Sequence, residues 1–187
     1  MAPLARLSCA EAVDADMVES LNAGDSVEVT GRLLTLRDAS ARQLVAALDR
    51  GERPRLPLAG AIMYAVGPSP AKPGQVIGSA GPTTTARMER YLPSLLAAGV
   101  RGVIGKGELH GPVAEAFVRY RAVYLAATGG VGALLAQHIT SAQVLAFAEL
   151  GPEAIYRLDV VAFPAVVILD LAGRNFHDEA RRQWRQS

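Results

Sequence analysis

Residues 100–130, VRGVIGKGELHGPVAEAFVRYRAVYLAATGG, contain the pattern that decides the fold. Apolar residues predict a short buried strand over 100–104 and a second strand over 122–126, and the segment between them predicts a helix over 112–119. Strands that alternate with helices in this way indicate an α/β domain. We therefore predict a mixed, partly parallel sheet flanked by helices.

The same alternation continues on both sides of this stretch. Upstream, the sequence predicts a strand or bent hairpin over 26–36, a helix over 39–49 capped by Asp38, strands over 58–66 and 75–80, and a helix that opens at Thr83 and is broken at Pro93. Downstream, it predicts a helix ending near residue 138, strands over 143–148 and 160–169, and a short helix over 152–156.

The length of 187 residues predicts a single domain over 1–187, with an N-terminal arm over 1–23 and a C-terminal tail over 178–187. The formal net charge of +1 argues against a general electrostatic attraction to nucleic acid. No apolar run approaches the ~20 residues of a membrane span, and the first ten residues lack the pattern of a signal peptide. We therefore expect a cytoplasmic protein without membrane contact.

Cys9 is the only cysteine, which excludes an internal disulfide and an iron–sulfur cluster held by the thiolates of this chain alone. Its position in the N-terminal arm predicts a mobile residue without a functional role. The three histidines are far apart in sequence and form no metal-binding motif, so no metal site is predicted in this chain.

Four loops combine polar or basic residues with tight glycine turns. They contain Arg37, Thr83 with Arg87, Lys106 between two glycines, and residues 128–130. Each loop follows a predicted strand, and in open α/β sheets the loops beyond the carboxyl ends of the strands form the ligand crevice. If the loops converge, three cations require a counter-charge, which a small dicarboxylate would supply through the planar fork of arginine and the compact charge of lysine.

Thr83 precedes Arg87 by four residues, which would put both on one face of a first helical turn beside free backbone N–H groups. Such a helix start can bind an anion next to a hydroxyl. The simpler alternative is a threonine N-cap beside a solvent-exposed arginine. Arg37 has a similar alternative, in which it pairs with the neighbouring Asp38.

The segment from Thr128 to Gly132 resembles a nucleotide-binding loop in its glycine content. Leu135 stands where the dinucleotide fingerprint needs its last glycine, and the chain has no phosphate-binding P-loop motif. A nucleotide-binding domain therefore remains only a weak alternative, because tight packing of a helix against the sheet explains these glycines equally well.

Taken in order, the motifs resemble one known family over residues 24–177. The matching segments are Gly24-Asp25, Gly31, Arg37-Asp38-Ala39, Ala71-Lys72-Pro73-Gly74, Val76-Ile77-Gly78, Gly81-Pro82-Thr83-Thr84, Arg87-Met88, Gly105-Lys106-Gly107, Thr128-Gly129-Gly130, Leu150-Gly151, Glu153-Ala154-Ile155 and Phe163-Pro164-Ala165. The chain resembles the C-terminal domain, or β subunit, of class I fumarate hydratases, with tartrate dehydratase β subunits as close relatives.

The resemblance implies a swivelling β/β/α domain and a carbon–oxygen hydro-lyase reaction, with the hydration of fumarate to (S)-malate as the type case. It implies that Arg37, Arg87 and Lys106 bind the substrate and that Thr83 is the catalytic base. A [4Fe–4S] cluster and the catalytic acid are expected on a partner α subunit. The expected assembly is a hetero-oligomer of the (αβ)2 type, or a homodimer of isolated β subunits.

Two positions depart from the family pattern. Ala41 stands where the family has a histidine, and Ala162 stands where it has an acidic residue. Ala41 is near the substrate arginine, so tartrate dehydratase and mesaconase activities stay open, although the Pro-Ala-Lys-Pro-Gly run at 70–74 is more typical of fumarases. A non-catalytic anion-binding or assembly module is a further alternative.

Overall fold

The computed structural model describes residues 4–10 and 12–185, and within them helices and strands alternate along the chain. The strands are β1 (Ala5–Cys9), β2 (Ser26–Leu36), β3 (Ile62–Ala65), β4 (Gly102–Gly105), β5 (Val123–Ala126), β6 (Ile139–Ala146) and β7 (Ile155–Leu169). The α-helices are α1 (Ala15–Glu19), α2 (Asp38–Asp49), α3 (Leu92–Ala97), α4 (Pro112–Arg119), α5 (Gly132–Ala136) and α6 (Phe176–Arg185). Two 3₁₀ helices span Thr85–Tyr91 and Ala148–Glu153.

The strands form one sheet in the order β1-β2-β3-β4-β5-β7-β6. Strands β1 to β5 run parallel to one another, whereas β7 is antiparallel to both β5 and β6. Strand β7 also pairs with β2, so the sheet partly closes into a barrel. The predicted fold, a β/β/α domain with a mixed, partly parallel sheet flanked by helices, is confirmed.

The barrel creates two hydrophobic cores, one inside it and one under the helices. Strand β3 shows the division, because Ile62 and Tyr64 belong to the interior cluster and Met63 and Ala65 to the helix-side cluster. All four are buried, as expected for a central parallel strand covered on both faces. Inside the barrel, the ring of Tyr64 packs edge-to-face on Phe163 with centroids 5.1 Å apart.

Strand β2 is one continuous bent strand and not a hairpin. Its pairing with β7 shifts register between Val29 and Gly31, which marks a β-bulge. Gly31 has φ = 128°, and a Cβ there would lie 2.5 Å from the carbonyl carbon and oxygen of Cys9. Only glycine therefore fits this bulge, where β1 and β2 approach closely.

The first part of the predicted N-terminal arm belongs to the sheet. Residues Ala5–Cys9 form edge strand β1, which pairs in parallel with β2 from Val27 to Gly31. Cys9 is 2% exposed and packs into the barrel core, so it is neither mobile nor at the surface. The apolar side chains of β1 cover the open end of the interior cluster, which a mobile arm would leave in water. Residues 1–3 and 11 of the predicted arm lie outside the described residues.

Cys9 gives a direct test of this correction, because it is the only thiol in the chain. Burial raises the pKa of the Cys9 thiol to about 11 from 9.0. At pH 8 we expect iodoacetamide to alkylate the native chain at least about 100-fold more slowly than the guanidinium-unfolded chain, since the thiolate is the reacting species. Equal alkylation rates of the native and the unfolded chain, measured by mass spectrometry, would indicate that Cys9 is exposed in a mobile arm.

The predicted strand over 75–80 is also wrong. These residues belong to a loop that folds back on itself, since the N–H of Ser69 donates to Ser79 O at 3.0 Å and the N–H of Gly78 donates to Ser69 O at 3.1 Å. A Cβ on Gly78 would lie 2.5 Å from two carbonyl oxygens of the loop. The apolar residues of 76–80 therefore belong to a compact loop and not to a strand of the sheet.

The predicted frayed tail forms helix α6 as far as Arg185, and residues 186–187 lie outside the described residues. Asp178 in the first turn and Arg182 in the last turn complement the helix dipole. Arg181 bridges to both Asp178 and Glu108 at 2.5 Å, which ties the helix to the loop after β4. Among the described residues no helix has the length and apolarity that crossing a membrane requires.

Two shorter helices differ from the sequence expectation. Helix α5 ends at Ala136 and not near residue 138, and the helix expected over 152–156 is the 3₁₀ segment Ala148–Glu153. Within that segment Gly151 has φ = 55° and ψ = −119°, which breaks the helical path before Pro152. Residues from 155 onward extend β7 five residues earlier than the apolar run alone predicts.

Candidate functional site

The parallel strands bring the four polar loops to one edge of the sheet. Register pairs Leu36 with Ala65 at the ends of β2 and β3, and Gly105 with Ala126 at the ends of β4 and β5. The loops that follow these strands therefore begin side by side. This edge, at the carboxyl ends of β2 to β5, is called the carboxyl edge below. It is the position at which parallel α/β sheets bind ligands.

Thr83 lies directly on the carboxyl edge. Its N–H donates to Ala65 O at 2.8 Å, so the residue extends from the end of β3, and its side chain is buried. The 3₁₀ helix begins only at Thr85, with Thr84 in extended conformation at the N-cap. The prediction that the helix opens at Thr83 is therefore wrong by two residues.

Arg87 nevertheless contacts Thr83. Its Nη2 donates a hydrogen bond to Thr83 Oγ1 at 3.0 Å. The arginine reaches back from the exposed side of the 3₁₀ helix, so the contact does not arise from two side chains stacked on one helical face. The pair joins a hydroxyl to a fixed positive charge at the end of β3.

Lys106 follows β4 directly and is held through its backbone. Its N–H donates to Thr85 Oγ1 at 3.2 Å, and the N–H of Thr85 donates to Lys106 O at 2.9 Å. The Tyr124 hydroxyl, whose pKa burial raises to about 12, lies 3.0 Å from Thr85 Oγ1 and 3.1 Å from Gly107 O. This cluster of Thr85, Tyr124 and the backbone of residues 105–107, called the Thr85 clamp below, fixes the start of the lysine side chain.

Three glycines of the loops around Lys106, at positions 105, 129 and 132, have structural roles. A Cβ on Gly105 would lie 1.9 Å from Thr85 Oγ1, so the Thr85 clamp requires glycine there. A Cβ on Gly129 would lie 3.0 Å from Lys106 Cδ, so the loop after β5 runs alongside the lysine side chain. A Cβ on Gly132 would collide with Gly81 N at 2.7 Å, which supports tight packing, and not a nucleotide, as the reason for glycine in this loop.

Arg37 directly follows β2 and occupies the N-cap of α2, one residue before the predicted cap Asp38. Ser40 Oγ accepts from the N–H of Arg37 at 3.1 Å, and Glu153 Oε2 accepts from the N–H of Ala39 at 2.8 Å. These two side chains accept from backbone N–H groups at the start of α2, where the side chain of Asp38 was expected to form the cap. The helix start is thus closed from a distant part of the chain.

Glu153 also holds the Arg37 side chain. Its Oε1 accepts from Arg37 Nη2 at 3.4 Å, while Asp38 Oδ2 lies 3.7 Å from Arg37 Nε. A Cβ on Gly67 would lie 3.0 Å from Arg37 Nη1, so the guanidinium lies against the loop that follows β3. Sequence reasoning missed Glu153 as a site residue, although the segment Glu153-Ala154-Ile155 was among the matching motifs.

The cations of the carboxyl edge differ in their pairing. Arg37 has two nearby carboxylates, whereas among the described residues Arg87 and Lys106 form no ion pair. Both residues are solvent-exposed. Arg87 therefore puts a positive charge beside the Thr83 hydroxyl, and Lys106 adds a second positive charge at the same sheet edge, which suits a small anionic ligand.

The two departures from the family pattern lie in different places. Ala41 is fully buried in the first turn of α2, where its N–H donates to Arg37 O at 2.7 Å. Ala162 lies on β7 with φ = 49°, and its N–H donates to Thr30 Oγ1 at 3.0 Å. Thr30 is seven residues before Arg37 on β2, so the Ala162 departure is remote from the carboxyl edge.

The described part of the chain supplies no ligand set for a metal or an iron–sulfur cluster. It contains no group of three or more His, Cys, Asp or Glu side chains arranged to hold a metal ion. Cys9, the one cysteine of the sequence, is buried on β1 and is not on the carboxyl edge. Residues of this chain therefore do not fit the role of cluster ligands.

The sequence of this chain is similar to proteins of one known family. A family model described as the fumarase C-terminus matches residues 4–180. A Methanocaldococcus jannaschii protein named as an L(+)-tartrate dehydratase subunit beta is 33% identical over 172 residues, which cover 89% of this chain and 88% of that protein. The aerobic class I fumarate hydratase of Escherichia coli (strain K12) is 32% identical over 155 residues, which cover 82% of this chain.

Fumarate hydratase 2 of Leishmania major is 31% identical over 158 residues, which cover 83% of this chain. The matches span only 28% of the length of each of these two fumarate hydratases. The relatives are hydro-lyases by name, which supports membership of a hydro-lyase family. The chain belongs to the fumarase C-terminus family, as its motifs indicate.

Proposed function

We propose that this chain is the β subunit of a class I fumarate hydratase-type hydro-lyase, which hydrates fumarate reversibly to (S)-malate together with an α subunit. The observation that carries the proposal is the grouping of Thr83, Arg87 and Lys106 on one sheet edge, where no described carboxylate neutralises the two cations. A dicarboxylate would provide the missing negative charge. Membership of a hydro-lyase family supports the reaction class.

Arg37, Arg87 and Lys106 have the role of binding the carboxylate and hydroxyl oxygens of the substrate. Removal of a proton from the carbon beside a carboxylate builds negative charge on that carboxylate. Fixed cations stabilise this charge more strongly in the transition state than in the ground state, which is the requirement for catalysis. Before substrate arrives, the Thr85 clamp fixes the backbone of Lys106 and the Glu153 contact holds the Arg37 guanidinium.

Thr83 has the role of the base in the dehydration direction. A threonine hydroxyl is a weak base near neutral pH, and the hydrogen bond from Arg87 Nη2 to its Oγ1 favours the alkoxide. The alkoxide accepts the proton from the substrate carbon, and the hydroxyl group leaves as water after it receives a proton from an acid on the partner. In the hydration direction Thr83 returns the proton to carbon.

The [4Fe–4S] cluster of the proposed enzyme belongs to the partner, because the residues of this chain do not fit as its ligands. A protein named as a subunit beta among the relatives supports a separate α chain. The match covers only 28% of the length of the aerobic class I fumarate hydratase of Escherichia coli, which supports the proposal that another chain supplies the remaining part of the enzyme. An (αβ)2 hetero-oligomer is the proposed assembly.

A tartrate dehydratase is the second candidate function. One observation favours it: the relative named as an L(+)-tartrate dehydratase subunit beta is matched over 88% of its own length. Tartrate and malate differ by one hydroxyl group, and the carboxylate-binding cations would serve both. Ala41 is the position near Arg37 at which this chain departs from the family pattern, so substrate preference must be measured.

Co-expression with a cognate iron–sulfur α subunit tests the proposal. Under anaerobic conditions we expect the purified pair to hydrate fumarate, to lose activity in air and to act on tartrate more slowly. The β chain alone is the control and should be inactive. Full activity of the isolated chain without iron, or a pair that acts on neither dicarboxylate, would contradict the proposal.

The contact between Glu153 and Arg37 gives a prediction about substrate binding. We expect Glu153→Gln in the reconstituted enzyme to raise KM about 10-fold with a smaller change in kcat, because Arg37 loses its charged partner and its orientation. Glu149→Gln, an exposed position in the same 3₁₀ helix, is the matched control. Steady-state kinetics that fail to distinguish the two variants would remove Glu153 from the site.

A further inference from the structure

A cavity lined by basic residues lies away from the carboxyl edge. It has a volume of about 410 Å³ and is lined by three arginines and by mainly apolar residues, among them Arg32, Arg55, Arg157, Leu34, Pro57 and Leu145. These residues come from β2, from the loop before β3, and from β6 and β7. A cavity of this size is in the usual range for small-molecule sites, which are mostly apolar with a few polar groups.

Sheet register explains why two of the arginines meet here. Strands β2 and β7 pair Arg32 with Asp159 and Leu34 with Arg157. Residues two apart on a strand share a face, so all four side chains lie on the outer face of the barrel. The intervening Leu33 belongs to the barrel interior. Arg55 approaches the same face from the loop between α2 and β3.

The described residues that line this cavity carry positive charges and no negative charge. Asp159 Oδ1 lies 3.8 Å from the Nε atoms of both Arg32 and Arg157, which is beyond hydrogen-bond distance. Arg157 Nε is buried and has no hydrogen-bond partner among the described residues. Arg32 makes a further interaction of its own, which leaves Arg55 and Arg157 as the candidate anion-binding groups.

The cavity is separate from the candidate active site. Gly60 and Ala61, which line it, precede β3 at its amino end, whereas Thr83 lies beyond its carboxyl end. Along β2, Arg32 is five residues before Arg37, a distance of about 16 Å in an extended strand. A ligand here would leave the carboxyl edge free.

We propose that this cavity binds a small organic anion with an apolar body. Its carboxylate or phosphate oxygens lie between Arg55 and Arg157, and its apolar part packs against Leu34, Pro57 and Leu145. Charge-assisted hydrogen bonds from two guanidinium groups supply the anion selectivity, and burial of the apolar part adds affinity. The proposal is independent of the proposed function, because it uses none of the residues assigned to the carboxyl edge.

Titration calorimetry on the 187-residue chain tests this site with four probes. Sodium hexanoate combines charge and an apolar body, inorganic phosphate has only the charge, 1-hexanol has only the body, and fumarate is the substrate candidate. We expect saturable binding of hexanoate, and at least about 10-fold weaker binding of hexanol. Tighter binding of phosphate than of hexanoate would identify a simple phosphate site and would overturn the role of the apolar wall.

Variants separate this cavity from other basic surfaces. We expect Arg55→Gln and Arg157→Gln each to weaken hexanoate binding about 10-fold or more, while Arg53→Gln, an exposed neighbour in the same loop, leaves it unchanged. Arg55 is on an exposed loop, so its variant remains informative if Arg157→Gln does not fold. Absence of saturable binding, equal effects of Arg53→Gln and Arg55→Gln, or loss of binding only in Arg87→Ala would each overturn the proposal.

Discussion

Replacement of Arg87 by alanine should lower kcat of the reconstituted enzyme by about 10²–10³-fold, the usual cost of removing one preorganised charge donor from a developing anion. Two roles are lost together. The substrate carboxylate loses a cation that no described carboxylate neutralises, and Thr83 Oγ1 loses the hydrogen bond that favours its alkoxide. Because Arg87 is exposed at the surface of the 3₁₀ helix, thermal stability should change little.

Arg90→Ala is the matched control for this experiment. Arg90 lies in the same 3₁₀ helix, and its guanidinium stacks over the ring of Tyr91 at 4.6 Å. Its replacement should keep turnover within about twofold of the wild type, because surface substitutions outside a site have small effects. Near-wild-type turnover of Arg87→Ala, measured as fumarate hydration, would reject the catalytic assignment and favour an assembly module.

Thr83→Ser and Thr83→Val separate the two roles in the same assay. Serine retains the hydroxyl that accepts from Arg87, whereas valine keeps the shape and removes it. If Thr83 is the base, valine should abolish turnover and serine should keep a substantial part of it. Equal loss in both variants would indicate that the methyl group and its packing, and not the hydroxyl, matter at this buried position.

The fold could be predicted from the sequence where the local pattern of apolar residues is enough to identify a strand or a helix. Strands β4 and β5 and helix α4 are short apolar or amphipathic segments, and the structure confirms them closely. Closure of the barrel could not be predicted, because it depends on β7 pairing with both β2 and β5. Such long-range pairing leaves no local signal.

Two wrong predictions, the strand over 75–80 and the mobile arm at residues 5–9, also arise because the sequence gives no local signal for long-range backbone contacts. The apolar residues 76–80 resemble a strand, but within its own loop the N–H of Gly78 donates to Ser69 O, and Ser79 O accepts from the N–H of Ser69. Residues 5–9 resemble a flexible arm, since nothing local shows that β2 offers them an edge. In both cases the partner of the backbone hydrogen bonds, and not the side-chain pattern, decides the structure.

The site was partly predictable for a physical reason. Residues after neighbouring parallel strands must begin at the same sheet edge, so the convergence of the loops after β2, β3, β4 and β5 follows once those strands are adjacent. The groups that hold the cations were not predictable. Glu153 contacts Arg37 across 116 positions, and Tyr124 contacts Thr85 across 39 positions. Sequence spacing carries no information about such contacts.

Gly105→Ala should be the most destabilising single change at the carboxyl edge. The added Cβ would lie 1.9 Å from Thr85 Oγ1, a buried atom that contacts the N–H of Lys106 and the hydroxyl of Tyr124. Neither neighbour can move freely, because Thr85 and Tyr124 are fully buried. We expect a loss of about 3 kcal/mol in the free energy of unfolding. The melting temperature should fall by roughly 6–12 °C.

Gly81→Ala is the control, because a Cβ there would meet its nearest atom, Gly132 Cα, at an ordinary 3.5 Å, and its melting temperature should stay within a few degrees. A double variant, Gly105→Ala with Thr85→Ala, removes the Oγ1 atom and should recover part of the stability. It should not recover turnover, since the backbone of Lys106 then has lost its hydrogen-bond acceptor. Thermal unfolding of Gly105→Ala at the wild-type temperature would show that the Thr85 clamp does not constrain this loop.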